Sequence, residues 1–173
     1  MIIMPTKVNL PMIKIRRIQP DEAAVAKQLI YRVAHQVFHD IRPLEESIAF
    51  YEARALLHDV DELQQTYFDN DGIFLVMTDH DRIIGTGAIR KIDHEICELK
   101  RVWLLFEYHG QGLGYRMMQD LLSFARAKGY VRMRLETDQM HQNRAFNFYK
   151  RLGFYEIPRY SDNDEDVAME MIL

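Results

Sequence analysis

Three glycines fall within five residues in the stretch YHGQGLGYRMM, residues 108–118, directly before a run whose pattern is helical. Glycines between a strand end and a helix start allow several backbone N–H groups to point inward together. The helix N-terminus adds about half a positive elementary charge. Such a turn binds anions, phosphate above all. The alternative is a plain tight turn into a helix, and a short glycine pattern alone does not choose between them.

Two better-known glycine motifs fit this turn poorly. A P-loop has Lys-Ser or Lys-Thr after its last glycine, whereas Gly114 is followed by Tyr115 and Arg116. A dinucleotide fingerprint needs a parallel strand unit, a different glycine spacing and an acidic residue about 20 positions further on. The turn therefore predicts neither a nucleotide triphosphate site nor a dinucleotide site.

The chain as a whole has the composition of a soluble globular protein. Its 173 residues suit one domain, residues 1–173, with residues 1–11 as a flexible extension. A net charge of -4 without a basic stripe argues against nucleic-acid binding, and no apolar run is long enough to span a membrane. No basic region precedes the first apolar residues, so we expect a cytoplasmic protein. The single cysteine, Cys97, is expected to be a core residue.

The elements that position the turn follow from periodicity. Residues 12–18 alternate as a strand, and residues 21–38 form a helix. Its predicted apolar face is Ala24, Val25, Leu29, Val33 and Val37. A helical region over about residues 44–68, with breaks near Asp59, leads into three strands that end at the glycines. A helix ended by Gly129, a strand, a short helix ended by Gly153 and two final strands complete one mixed α/β domain.

Two segments resemble one known family. The segment ELKRVWLLFEYHGQGLGYRMMQDLLSFARAKGY resembles the central signature of the GCN5-related N-acetyltransferase (GNAT) superfamily: Arg or Gln, two residues, Gly, one residue, then Gly or Ala. The segment LETDQMHQNRAFNFYKRLGFYEI is similar to the second signature, in which an asparagine and a tyrosine lie on a short helix ended by Gly-Phe. Two signatures in the right order are more specific than either one.

The resemblance implies a fold and a cosubstrate. The fold is a twisted, mostly antiparallel sheet of about seven strands, splayed between the fourth and fifth strands and flanked by about four helices. The cosubstrate is acetyl-CoA, with its thioester in the splay. The residues implied in binding it are Val102, Trp103 and Leu104 for the pantetheine arm, His109, Gly110, Gln111, Gly112, Leu113 and Gly114 for the pyrophosphate, and Asn143 for the arm. His109 stands where the signature has Arg or Gln, and it would make cofactor affinity depend on pH near neutrality.

The chemistry implied is direct acyl transfer to an amine, which needs a base for the amine and an acid for the departing thiolate. Tyr149 of the second signature is the predicted acid, and the alternative is an aromatic core residue beside Phe146 and Phe148. Glu98 is the predicted base, acting directly or through water. It precedes Val102 by four residues, so their side chains share a face if the strand is unbulged.

Several other features have competing interpretations. For Glu98, the alternative is a structural ion pair with Lys100 or Arg101. His35 and His39 are four residues apart, but no third ligand accompanies them, so we expect no metal site. The acidic stretch SDNDED would attract a cationic acceptor, although a solvated turn is the simpler account.

The acceptor pocket is expected between the first two helices, in residues 39–52, with Tyr51, Arg42 and Glu46 as candidate lining residues. We predict an N-acetyltransferase acting on a primary amine, preferably of a small molecule. The alternatives are a catalytically silent acyl-CoA-binding module and an enzyme that acetylates protein N-termini or lysines. Homodimers are common in families that resemble this one, so a homodimer is a further expectation.

Overall fold

Seven strands form one mixed sheet in the computed structural model, which describes residues 12–162 and 166–173. The strands are β1 (Ile13–Arg17), β2 (Ile73–Asp79), β3 (Arg82–Lys91), β4 (Ile96–Leu104), β5 (Arg132–Thr137), β6 (Tyr155–Ile157) and β7 (Val167–Ile172). Their order across the sheet is β1-β2-β3-β4-β5-β7-β6, and only the β4–β5 pair within the described ranges is parallel. The predicted mostly antiparallel α/β fold is confirmed. The predicted flexible extension and the middle of the acidic turn lie outside the described residues.

The helices are α1 (Ala23–Val37), α2 (Leu44–Ala53), α3 (His58–Asp61), α4 (Leu63–Thr66), α5 (Leu113–Ala127) and α6 (Asn143–Leu152). The predicted helical region over residues 44–68 is therefore three helices, with interruptions at residues 54–57 and at Glu62. Gly129 and Gly153 follow α5 and α6 with left-handed φ angles of 86° and 106°, which confirms both predicted helix ends. Across the described parts of the chain, no helix is both long enough and apolar enough to cross a membrane.

Helix α1 packs on the sheet with a face that differs from the predicted one. Its buried residues are Ala26, Lys27, Leu29, Ile30, Tyr31 and Val33. The predicted start of the stripe was wrong, because Ala24 and Val25 are exposed. Lys27 turns its ammonium to the carboxylates of Asp61 and Glu52, each at 2.8 Å, so a charged residue occupies the buried face.

Helix α5 lies close against β3. A Cβ atom at Gly87 would stand 2.9 Å from Leu121 Cδ1 and 3.1 Å from Met117 Cγ, so glycine permits this close approach. Cys97 of β4 is completely buried, and this burial raises the pKa of its thiol to about 12. Its predicted place in the core is confirmed. The close packing of α5 on β3 places the start of α5, and with it the glycine turn, at the end of β4.

Candidate active site

Strands β4 and β5 separate after a short shared ladder. They pair with each other only through Ile96–Glu98 of β4 and Arg132–Arg134 of β5; beyond these residues β4 stays paired with β3 and β5 with β7, but not with each other. The separation opens a cavity of about 590 Å³, lined by residues 98–103 of β4, residues 135–138 at the end of β5, Tyr149 of α6 and parts of α1 and α2. We name it the splay cavity. The predicted splay between the fourth and fifth strands is confirmed.

A β-bulge at Arg101 decides which side chains of β4 share a face. Lys100 pairs with Ala88 and Trp103 pairs with Thr86, so three steps along β4 match two along β3. Arg101 has a φ of 56°, and its carbonyl accepts a 2.6 Å hydrogen bond from the Thr86 hydroxyl. Beyond the bulge, each side chain of β4 therefore lies on the opposite face of the sheet from the one that simple alternation predicts.

The bulge corrects the prediction for Glu98 and Val102. Glu98 pairs with Arg90, on the same face of the sheet as Lys100 and Trp103. Val102, next to Trp103, therefore belongs to the opposite face, because the condition of an unbulged strand is not met. All of these β4 residues still line the splay cavity.

A buried ion pair supports the bulge from outside the sheet. The Arg101 guanidinium donates to the two carboxylate oxygens of Asp59 at 2.6 and 3.0 Å, and to the Leu56 carbonyl at 3.0 Å. The Tyr67 hydroxyl donates to Asp59 at 2.5 Å. Burial would raise the pKa of Asp59, but these hydrogen bonds and the charge of Arg101 outweigh it and lower the pKa. The segment between α2 and α4 is thereby tied to the wall of the cavity.

Glu98 is almost fully buried, with 3% exposure. One carboxylate oxygen accepts from Arg90 at 2.5 and 3.1 Å and lies 3.8 Å from the Lys100 ammonium. The other accepts from the Tyr160 hydroxyl at 3.1 Å. The predicted structural ion pair thus has Arg90 as its hydrogen-bonded partner rather than Lys100 or Arg101. Glu98 is both an ion-pair partner and a wall residue, so its position is compatible with either predicted role.

Tyr149 lies on α6 and lines the splay cavity opposite β4. It is 7% exposed, and its ring packs against Phe148 and Phe154 with centroid distances of 5.7 Å. Burial raises the pKa of its hydroxyl. The phenol therefore stays protonated at neutral pH. Among the described residues, its hydroxyl donates no hydrogen bond, which leaves the proton available to a bound molecule.

The glycine turn joins β4 to α5 with its backbone donors free. Gly110 and Gly112 have left-handed φ angles of 76° and 75°, and Gly112 is the N-cap of α5. Within the described residues, the N–H groups of residues 110–115 donate no hydrogen bond to the protein. The first turn of α5 carries no acidic side chain. The turn therefore presents unused donors and the positive end of a helix dipole, which together suit an anion.

The remaining residues predicted for cofactor binding occupy the ends of these elements. The His109 ring packs on Phe106 at 4.9 Å and donates from Nε2 to the Leu104 carbonyl at 3.0 Å, so it closes the strand end. Asn143 is exposed at the first position of α6 and accepts a hydrogen bond from Asn147 at 3.2 Å. Neither His109 nor Asn143 lines the splay cavity, whereas Val102 and Trp103 do.

Of the three residues predicted to line the acceptor pocket, one lines the splay cavity and two do not. Tyr51 lines the cavity and donates to Asp40 at 3.0 Å. Arg42 instead pairs with Asp40 at 2.6 Å and lies over the Phe50 ring, and Glu46 is exposed on α2. The sequence analysis did not place three residues at the site: Tyr31 and Lys100, which line the cavity, and Tyr160, which donates to Glu98. Tyr160 follows β6 in an irregular segment, which carries no periodic signal.

Comparison with known proteins decides the family. Residues 35–154 match the model of the Acetyltransferase (GNAT) family. The chain belongs to this family. It is 29% identical over 106 residues to N-acetyltransferase 8B of Homo sapiens, which covers 58% of this chain and 46% of that protein. It is 30% identical over 101 residues to the uncharacterized N-acetyltransferase YjgM of Escherichia coli, covering 57% and 60%. The chain thus spans about half the length of the human relative and less than two thirds of the bacterial one.

Solved structures of other acetyltransferases share the fold. An acetyltransferase from Streptococcus agalactiae superimposes with a TM-score of 0.78 at 23% identity, covering 93% of this chain and 98% of that one. The PaiA N-acetyltransferase from Thermoplasma acidophilum, solved in complex with coenzyme A, gives a TM-score of 0.76 at 21% identity, covering 94% and 99%. At 21–23% identity, this structural similarity establishes the fold alone.

Proposed function

We propose that this GNAT family member is an acetyl-CoA-dependent N-acetyltransferase that transfers an acetyl group to the primary amine of a small molecule, by direct attack in a ternary complex. The observation that carries the proposal is the splay cavity, in which a carboxylate and a protonated phenol line one space, and the carboxylate lies on the strand that leads to the glycine turn. The names of the relatives as N-acetyltransferases and the neighbour solved with coenzyme A support it.

The residues present fit the proposed cosubstrate. The free N–H groups of residues 110–115 would hold its pyrophosphate, assisted by the start of α5. The backbone of residues 102–104, unpaired on the β5 side, would bind the pantetheine arm. Acetyl-CoA would supply the thioester whose carbonyl carbon the amine attacks. Contact of Asn143 with the arm stays a prediction.

The roles of the two candidate catalytic residues follow from their surroundings. Glu98 would accept the proton of the attacking amine, directly or through water, at the oxygen that faces Tyr160 rather than the one occupied by Arg90. Tyr149 would donate its proton to the departing thiolate, because its hydroxyl is protonated and without a partner among the described residues. The side chain of His109, which donates to the Leu104 carbonyl, would take no part in the reaction.

The cover over the cavity supports a small acceptor. Tyr31 of α1, Phe38 directly after α1 and Tyr51 of α2 add aromatic rings to its lining, and these would contact a small acceptor next to Glu98. A cytoplasmic location and a homodimeric assembly stay predictions from the sequence.

Calorimetric titration with acetyl-CoA, with ATP and NAD as controls, tests the proposal first. We expect saturable binding of acetyl-CoA alone, followed by release of the free thiol when an amine panel is added. Binding without thiol release would support the silent acyl-CoA-binding module. No binding by the folded protein would overturn the proposal.

Replacing Gly112 by alanine tests the phosphate role of the turn. Both Gly112 and Gly129 have left-handed φ angles, and a Cβ atom at either meets no atom within 4 Å. We therefore expect each alanine variant to lose about 1–2 kcal/mol of unfolding free energy from backbone strain. Only Gly112→Ala should also weaken acetyl-CoA binding, by roughly tenfold, because relief of the strain displaces N–H donors that bind a charged group. Equal affinity in the two variants, measured by calorimetry, would remove the pyrophosphate from this turn.

A further inference from the structure

Lys100 is a cation on the wall of the splay cavity. It shares a face of β4 with Glu98 and Trp103, and its side chain is 25% exposed. That exposure is toward the cavity, since Lys100 is one of its lining residues. A lysine on the wall of a substrate-sized space is placed to meet a bound molecule.

The Lys100 ammonium has no hydrogen-bond acceptor among the described residues. Its nearest carboxylate oxygen belongs to Glu98, at 3.8 Å. That same oxygen already accepts two hydrogen bonds from Arg90, at 2.5 and 3.1 Å. This carboxylate oxygen is thus already hydrogen-bonded to Arg90, and among the described residues the Lys100 ammonium has no hydrogen-bonded counter-charge.

The surrounding charges do not neutralise Lys100. The charged groups that act on it are Glu98, Arg90, Arg101 and Asp59. Arg101 and Asp59 form their own ion pair at 2.6 Å, as Arg90 and Glu98 do at 2.5 Å. With Lys100 included, three of these five side chains are cationic and two are anionic. This cluster therefore carries one net positive charge, and its members Glu98, Lys100 and Arg101 line the cavity.

The wall of the cavity formed by the end of β5 carries negative charge. Glu136 and Asp138, at the end of β5, both line the cavity. Glu136 accepts a 2.6 Å hydrogen bond from Ser161, and Asp138 accepts from the backbone N–H groups of Met140 and His141 and from the His141 ring at 2.7 Å, so both are held in place. The cavity is therefore bipolar, with a cation on the β4 wall and two carboxylates on the β5 wall.

We propose that Lys100 binds a carboxylate of the acceptor, and that the acceptor is an amine that also carries a carboxylate, an amino acid in the chemical sense. The inference rests on the proposed function and names the substrate class of the same cavity. A zwitterion matches the bipolar walls, with its carboxylate toward Lys100 and its ammonium entering from the side of Glu136 and Asp138. Burial lowers the pKa of Lys100, and a carboxylate partner would offset this cost of keeping the ammonium charged.

Matched pairs of amines test the inference. Each pair is an amino acid and its decarboxylated counterpart: L-phenylalanine with phenethylamine, L-leucine with isoamylamine, and L-lysine with cadaverine. Apolar side chains are included because Ala34, Phe38 and Leu56 form apolar parts of the lining. Thiol release is measured at one pH for the wild-type protein, Lys100→Gln and Lys128→Gln. Lys128 is a matched control because it contacts Asp71 on the surface, at 3.3 Å, away from the cavity.

We expect the wild-type protein to favour at least one amino acid over its amine by roughly tenfold or more in kcat/KM. In Lys100→Gln, KM for that amino acid should rise roughly 10- to 100-fold with kcat little changed, because a charge-assisted contact to the substrate is lost. The values for the matching amine, and all values for Lys128→Gln, should stay within about twofold of wild type.

Three results would overturn this inference but not the proposed function. The first two are acetylation of the amines without preference for the amino acids, and acetyl-CoA binding with no amino acid acetylated. The third is an equal loss of kcat/KM for both members of a pair in Lys100→Gln. The last would mean that Lys100 acts through Glu98 rather than on the acceptor. A folded protein that does not bind acetyl-CoA would instead overturn the proposed function itself.

Discussion

Tyr149→Phe should lower kcat about 10²- to 10⁴-fold while leaving the affinity for acetyl-CoA unchanged. The substitution removes one oxygen atom and keeps the ring, which packs against Phe148 and Phe154 at 5.7 Å. It removes no hydrogen bond within the described part of the chain, so the fold has no reason to change. Burial raises the pKa of the hydroxyl, which keeps the phenol protonated and ready to donate at neutral pH.

Steady-state thiol release gives kcat, and calorimetry gives the affinity of each variant for acetyl-CoA. Tyr155→Phe is the matched control, because it removes the same atom from a tyrosine that donates to Glu170 on β7, outside the cavity lining. We expect its kcat to stay within about twofold of wild type. A Tyr149→Phe protein with wild-type kcat would show that the tyrosine is only a packed aromatic residue.

The parts of the site that the sequence predicts are those encoded by local backbone chemistry. Gly110 and Gly112 adopt left-handed φ angles that residues with a side chain avoid, so glycines at these positions predict the turn. Gly129 and Gly153 mark the ends of α5 and α6 for the same reason. The three strands predicted before the glycines are β2, β3 and β4, because apolar runs mark buried strands, and residues 74–78 of β2 are all buried.

The parts that could not be predicted depend on long-range partners. The face of α1 was misplaced because a lysine is usually exposed to solvent, whereas Lys27 is buried through its pairing with Glu52 and Asp61, 25 and 34 residues away. The bulge in β4 leaves no local mark either. It is set by the Thr86 hydroxyl on β3 and by the contact of Arg101 with Asp59, 42 residues away. A face assignment made by counting along β4 therefore fails beyond Lys100.

The Asp59 partner of Arg101 gives the largest expected effect on stability. Asp59→Ala should lower the free energy of unfolding by about 3 kcal/mol, because it leaves a mostly buried guanidinium without its counter-charge. Arg101 would keep its 3.0 Å hydrogen bond to the Leu56 carbonyl, which places the loss at the lower end of the usual range. Urea unfolding at pH 7 measures the difference. Asp69→Ala, at an exposed aspartate that bonds Gln64, should change stability by less than about 0.5 kcal/mol.

The pH dependence of this difference separates an ion pair from simple packing. The pKa of Asp59 is lower in the folded protein than in the unfolded chain, so its contribution is fully present above the unfolded value of about 3.9. It is lost as pH falls through the folded value. The gap between wild type and Asp59→Ala should thus be constant from pH 6 to 8 and shrink below about pH 4. A gap that persists in acid would assign the loss to packing around Tyr67 instead. The double variant Asp59→Ala with Arg101→Met should lose less than Asp59→Ala alone, because no unpaired charge remains buried beside the cavity wall.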